Sequence, residues 1–180
     1  MNKLFINKTP LLIRRMLCIT RCSLPIAHCP LLIACCLFVS SCTQVNIFEK
    51  NTAIPNYEWQ QQFTATGDFL ITDTASPYSI YLVLRHTDAY KYNNIWLHIG
   101  LQPPGDSMHI QKVNLGLGDD ANGWEGTGMN DIWEVRKLLN GAPRRFKQPG
   151  KYNYSISQIM RDNPLLYIMS VGLRIEKRKD

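Results

Sequence analysis

Six cysteines, Cys18, Cys22, Cys29, Cys35, Cys36 and Cys42, lie in the first quarter of this 180-residue chain, and the rest of it has none. A thiol can serve as nucleophile, metal ligand or half of a disulfide, but each role needs partners that a fold brings together. Downstream of Cys42 the histidines are His86, His98 and His109, and none belongs to an H-x-H or H-E-x-x-H pattern that would build a metal centre. "GDDANG" (Gly118–Gly123) crowds two carboxylates and an amide, the donors that hard cations take. It lacks the alternating spacing and distal Glu of a calcium loop, so it reads as a hairpin turn. Glu125 and Asp131 could act as paired carboxylates at roughly 5–10 Å, the geometry of glycoside hydrolysis, but their spacing does not single them out. No G-x-S-x-G, phosphate loop or dinucleotide fingerprint occurs. The expectation is a protein that is not an enzyme, with no catalytic residues, cofactor or metal.

The elements that hold these residues divide at Cys42. Residues 1–41 carry Lys3, Lys8, Arg14, Arg15 and Arg21 with no acid, while residues 42–180 carry 15 basic and 14 acidic groups. The overall net charge of +6 and pI near 9.1 therefore belong to the leader. No basic field remains for nucleic acid. Basic residues followed by an apolar stretch, Pro30–Val39, and then Ser40-Ser41 have the anatomy of an export signal. Pro25, His28 and Pro30 interrupt the one stretch that could approach the roughly 20 apolar residues of a spanning helix. A leader of 41 residues exceeds the usual 15–30, and Met16 is an alternative start to Met1.

Val39-Ser40-Ser41-Cys42 resembles the lipobox of bacterial lipoproteins. The resemblance implies diacylglycerol on Cys42, removal of residues 1–41 and acylation of the new N-terminus, with membrane lipid as its first partner. Several acyl chains hold a protein stably on a bilayer where one is marginal. Thr43 follows the cysteine without an Asp-type retention cue, which favours the outer membrane.

Thr43 to about Asn56 reads as a tether, giving the organisation 1–41 signal peptide, 42–56 lipidated cysteine and tether, 57–180 folded domain. In the domain, apolar residues recur at period two. Phe63, Ala65, Phe69 and Ile71 share a face, as do Ile80, Leu82 and Leu84, then Ile95, Leu97, Ile99 and Leu101. Val113, Leu115 and Leu117 continue the pattern, as do Tyr152, Tyr154 and Ile156, and finally Val171, Leu173 and Ile175. Ser76-Pro77, Pro103-Pro104-Gly105 and Gln148-Pro149-Gly150 punctuate these runs. The expectation is an all-β antiparallel sandwich, jelly-roll or Ig-like, with at most short helices. One or two helical turns are expected around Ser157–Asp162, and "DIWEVRKLLN" is undecided between helix and strand.

Trp59, Trp96, Trp124 and Trp133 could stack on sugar rings if exposed in a row, which makes a glycan-binding module the alternative function. "GWEGTGMNDIWE" is the most distinctive stretch. Its loop could tuck a tryptophan inward, or present Trp124 and Trp133 as candidate partner-binding residues.

The chain resembles the GldH family of gliding-motility lipoproteins. The phrases that carry this are "IPNYEW", "FLITDTASPYSIYLVLRHTDAYKYNNIWLHI", "WEGTGMNDI", "FKQPGKYNYSISQIMR" and "VGLRIEK", in that order; the chain departs from the pattern around "DNPLLYIMSVG". The resemblance implies a cell-envelope lipoprotein associated with gliding machinery, partnered by envelope proteins, with no catalytic residues to carry over.

Overall fold

Alternating apolar and polar residues must put one face of each strand against a core, and the structure, a computed structural model describing residues 47–178, has that arrangement. The leader, Met16, Val39–Cys42 and the first residues of the tether lie outside the described residues. The thirteen strands are β1 (Ile47–Ala53), β2 (Glu58–Trp59), β3 (Ala65–Ile71), β4 (Tyr78–Thr87), β5 (Asn94–Gln102), β6 (His109–Gly116), β7 (Gly118–Asp119), β8 (Gly123–Trp124), β9 (Thr127–Met129), β10 (Ile132–Leu138), β11 (Gly150–Gln158), β12 (Leu165–Leu166) and β13 (Ile168–Lys177). All pairings among the described residues are antiparallel. A five-stranded sheet runs β1-β13-β4-β10-β9 and a four-stranded sheet β3-β11-β5-β6, with β12-β2 and β7-β8 as two-stranded ribbons. The sandwich expected from the sequence is present.

The inner faces follow the predicted alternation. Leu82, Leu84 and Leu173 of the larger sheet meet Ile95, Leu97 and Ile156 of the smaller one, all buried. Each fully buried aliphatic side chain contributes about 1.5–3 kcal/mol relative to exposure. Val83 is buried although its parity turns it outward; its cross-strand neighbour Arg136 carries a methylene stem long enough to cover it. The same outer face holds a charge lattice, in which Arg174 pairs with Glu49 at 2.7 Å and Glu176 at 2.6 Å, and Glu134 bridges Arg85 and Arg136.

Two elements differ from the sequence reading, and one left undecided is settled. Within the segment read as tether, Ile47–Ala53 is edge strand β1. Its inward positions mix Phe48, Lys50 and Thr52, so no apolar alternation announces it. The expected turns of helix around Ser157–Asp162 are absent; β11 runs to Gln158 and an irregular segment follows. The Gln158 side chain organises that segment, donating to the carbonyls of Trp59 and Asp162 and accepting the N–H of Met160 at 2.7 Å. "DIWEVRKLLN" resolves as β10, and the one helical element described is the single 3-10 turn Pro55–Tyr57.

Strand direction sorts the loops to two ends. The start of β1, the β3–β4, β5–β6 and β10–β11 connections and the end of β13 lie together, because Ile47 pairs with Glu176, Lys177 with Tyr78, Leu101 with His109 and Ile71 with Gly150. The opposite end gathers the segments after β1, β4, β6 and β11.

Candidate functional site

That second end carries the least expected local structure. Beyond β1, the 3-10 turn leaves Asn56 and Tyr57 at φ 55° and 61°, and Tyr167 lies at φ 70° before β13. Left-handed backbone crowds a side chain and costs roughly 1 kcal/mol per residue, and such positions concentrate at functional sites. The two tyrosines are joined through backbone, Tyr167 N–H to the Tyr57 carbonyl at 2.7 Å, and Thr87 N–H closes on the Tyr167 carbonyl at 3.0 Å. Thr87 pairs with Ile132, which pairs with Met129.

A continuous backbone row, Tyr57–Tyr167–Thr87–Ile132–Met129, thus crosses the rim of the five-stranded sheet, about 19 Å at the usual strand spacing. Direct cross-strand partners project to one face, so Thr87, Ile132 and Met129 share the outer one. Exposure is 48% for Tyr57, 42% for Tyr167, 36% for Ile132 and 73% for Met129. Leu166, beside Tyr167, is exposed as well.

Beneath the row the packing is dense. Trp59 is fully buried and its Nε1–H donates to the Phe63 carbonyl at 2.9 Å. His86 is fully buried, its ring edge-on to Trp124 at 4.5 Å and tilted against Tyr90 at 5.6 Å. His86 Nδ1 lies 2.9 Å from the Thr87 carbonyl oxygen, so it carries the proton, and Nε2 has no partner. Burial holds the imidazole pKa below its ordinary value, outweighing the Thr87 carbonyl and the Asp88 carboxylate, which push it up.

The tryptophans singled out in the sequence are placed at this end but not as a row. Trp124 is half-buried against His86 and Tyr90. Trp133 is half-buried, its ring over Gly128 and its Nε1–H on Asp88 at 2.8 Å. Trp96 stands on the other sheet with Lys112 Nζ over its ring at 4.6 Å. No two of them offer exposed faces side by side. Asp119 accepts from the N–H groups of Ala121 and Asn122 inside its own hairpin turn. Glu125 pairs with Lys137, not with Asp131.

Around the row the end is acidic. Glu58, Asp88, Asp119, Asp120 and Asp131 have no ion-pair partner among the described residues, against one exposed cation outside any described ion pair, Arg161, whereas Asp162 is held by Lys91 at 2.7 Å. At the other end "PRRFKQPG" brings Arg144, Arg145 and Lys147 with no acid. Among the described residues no hydroxyl hydrogen-bonds to a histidine, and His109 meets only Asp106, at 3.3 Å on the surface. The sequence reading missed Tyr57, Tyr167, Ile132 and Met129. Three chain segments supply them: Met129 and Ile132 lie within the "GWEGTGMNDIWE" hairpin, where the tryptophans were the residues marked, and Tyr57 and Tyr167 come from segments far apart in sequence that no local pattern joins.

The structure defines an all-β sandwich of antiparallel sheets whose rim carries an exposed apolar row. The profile of the GldH lipoprotein family matches residues 46–175, and the chain belongs to this family. It is 26% identical, over 78% of its length and 90% of the relative's, to a gliding motility lipoprotein GldH homolog of Christiangramia forsetii. It is 25% identical to the gliding motility lipoprotein GldH of Flavobacterium johnsoniae, covering 79% and 91% of the two chains. It also aligns over 73% of its length with 27% of the crystal structure of an exo-β-1,3-galactanase from Phanerochaete chrysosporium, at 11% identity and TM-score 0.34, a likeness too slight to carry an argument. The chain is a motility-associated lipoprotein of the cell envelope by family. No described helix is long and apolar enough to cross a membrane.

Proposed function

We propose that this lipoprotein is cut before Cys42, anchored by acyl chains on Cys42 to the outer membrane, and acts without catalysis as a docking component of the gliding machinery. The observation that carries the docking role is the exposed row Tyr57–Tyr167–Ile132–Met129 with its acidic surround. It lies at the end away from the start of β1, hence away from the anchor. Trp133, beside Ile132 in β10, supports the row from within. The partner surface it fits is apolar at its centre and basic around it, because rim charges select partners and speed encounter. A bilayer fits it poorly. Arg85, Glu134 and Arg136 stand on the same outer face and would have to be desolvated with it.

The test pairs Met129→Glu with Ile132→Glu, both at exposed positions, against Leu70→Glu, an equally apolar exposed site on the other sheet. Envelope proteins recovered from crosslinked cells, and spreading on a surface, are lost in the first variant and kept in the second. Wild-type cells that yield no crosslinked envelope partner overturn the docking role. For the anchor, Cys42→Ala runs larger on a gel and takes up no radiolabelled fatty acid; a wild-type mature N-terminus elsewhere than Cys42 defeats that part.

A further inference from the structure

The opposite end of the sandwich holds a cleft of about 610 Å³ between the two sheets. Ile80 and Leu173 line it from the five-stranded sheet, Ile99 and Val113 from the four-stranded sheet, and Phe146 from the β10–β11 connection. That size falls in the range of small-molecule sites, roughly 300–1,000 Å³. Its loop wall is fixed in place. Asn140 Oδ1 accepts the Ile80 N–H at 3.2 Å, its Nδ2 donates to the Tyr78 carbonyl at 2.9 Å, and Tyr78 and Arg144 form a β-bridge. At the mouth stands Arg144, whose guanidinium has no hydrogen-bond or ion-pair partner among the described residues. Lys147 adds a second cation nearby in sequence, also outside any described ion pair.

A mainly apolar slot, with His109, Gln111, Asn140 and Arg145 also in its lining, beneath the Arg144 guanidinium suits a hydrocarbon chain carrying an anionic head. Arg binds phosphate or carboxylate through paired N–H groups, while the chain displaces water from the aliphatic walls. Position adds to chemistry. The cleft opens at the end where β1 begins, and five residue steps from Ile47 reach Cys42, at most about 17 Å of extended chain. With Cys42 in a bilayer, this mouth lies within reach of the headgroups. We infer that the inter-sheet cleft of Ile80, Ile99, Val113, Phe146 and Leu173, headed by Arg144, binds one acyl chain of an anionic membrane phospholipid. Its location relative to lipid rests on acylation of Cys42; the chemistry of the cleft does not.

The test uses the protein purified from its own membranes and placed in phosphatidylcholine vesicles doped with phosphatidylglycerol bearing a photoreactive diazirine in one acyl chain. After illumination and digestion, adducts are expected on residues 109–113 and 139–146. Labelling falls about tenfold with an equivalent phosphatidylcholine probe and with Arg144→Glu, the loss expected for reversing a cation at a lipid surface. Val113→Trp, which fills the slot, abolishes it, and thermal melts establish that both variants are folded. Adducts scattered over the sheet exteriors, or equal labelling by both lipids, overturn the inference. So does a wild-type cleft left unlabelled while that of Cys42→Ala is labelled, since the protein's own acyl chain would then be the occupant. Radiolabelled palmitate uptake is read in parallel. Its absence with cleft adducts intact removes the Cys42 anchor alone.

Discussion

Tyr167 donates its backbone N–H to the carbonyl of Tyr57 at 2.7 Å while both residues sit in left-handed backbone. Glycine occupies such a conformation without the Cβ clash, but loosens the unfolded chain by a similar amount. Tyr57→Gly and Tyr167→Gly are therefore expected to leave stability within about 0.5 kcal/mol of wild type and to abolish crosslinking to envelope partners. Denaturant midpoints and crosslink yield read the two effects separately. A variant that binds normally would show that the rings are not part of the interface.

His86 makes stability depend on acid. Its folded pKa is depressed by burial, so as pH falls the unfolded chain takes the proton first. The contribution is complete above the ordinary histidine value of about 6.5 and is lost progressively below it. His86→Phe, which keeps an aromatic ring against Trp124, flattens the fall in denaturant midpoint between about pH 7 and 5.5. An unchanged slope would place the acid sensitivity elsewhere.

The sequence made some of this visible and hid the rest for physical reasons. β4 and β5 announce themselves because Ile80, Leu82 and Leu84, then Ile95 and Leu97, face a core while their neighbours face water or charge. β1 stays hidden because a lone Phe48 packing on Phe69 makes no alternating pattern, and the rest of its contribution lies in Glu49 gripping Arg174 and in close backbone contact. The stretch after β11 mimics a helix because the Gln158 side chain replaces main-chain hydrogen bonds. The row at the rim depends on cross-strand register, and register is set by the whole sheet.

Gly172 lies against β1 so closely that a Cβ there would come 2.0 Å from the Lys50 carbonyl oxygen and 2.7 Å from Asn51 Cα. Gly172→Ala must push the edge strand outward, at a cost of about 2 kcal/mol. Hydrogen exchange should show selective loss of protection in Ile47–Ala53 with β4 and β5 unchanged. Uniform weakening across both sheets would contradict the local account.

Arg174 stands between Glu49 and Glu176, with Arg178 a more distant partner of Glu176 at 3.6 Å, and the side chains of Arg174, Glu49 and Glu176 are mostly shielded. Arg174→Met keeps the stem but leaves Glu49 facing Glu176, which retains only the longer contact to Arg178, expected to cost about 2 kcal/mol, between exposed and buried ion-pair values. The loss should shrink at high salt, which screens the remaining repulsion. A penalty insensitive to salt would point to packing of the stem instead.

β1 runs from the end of the sandwich that holds the end of β13 toward Tyr57, antiparallel to β13 in seven consecutive register pairs. A machine that pulls on the row while lipid holds the N-terminus would load this pair lengthwise. The inter-strand hydrogen bonds, perpendicular to the strands, would then be sheared together rather than peeled one at a time. On the proposed anchoring and docking, a domain with that connectivity would transmit tension between membrane and partner as a strap does, and its mechanical strength would reside in the edge strand that the sequence conceals.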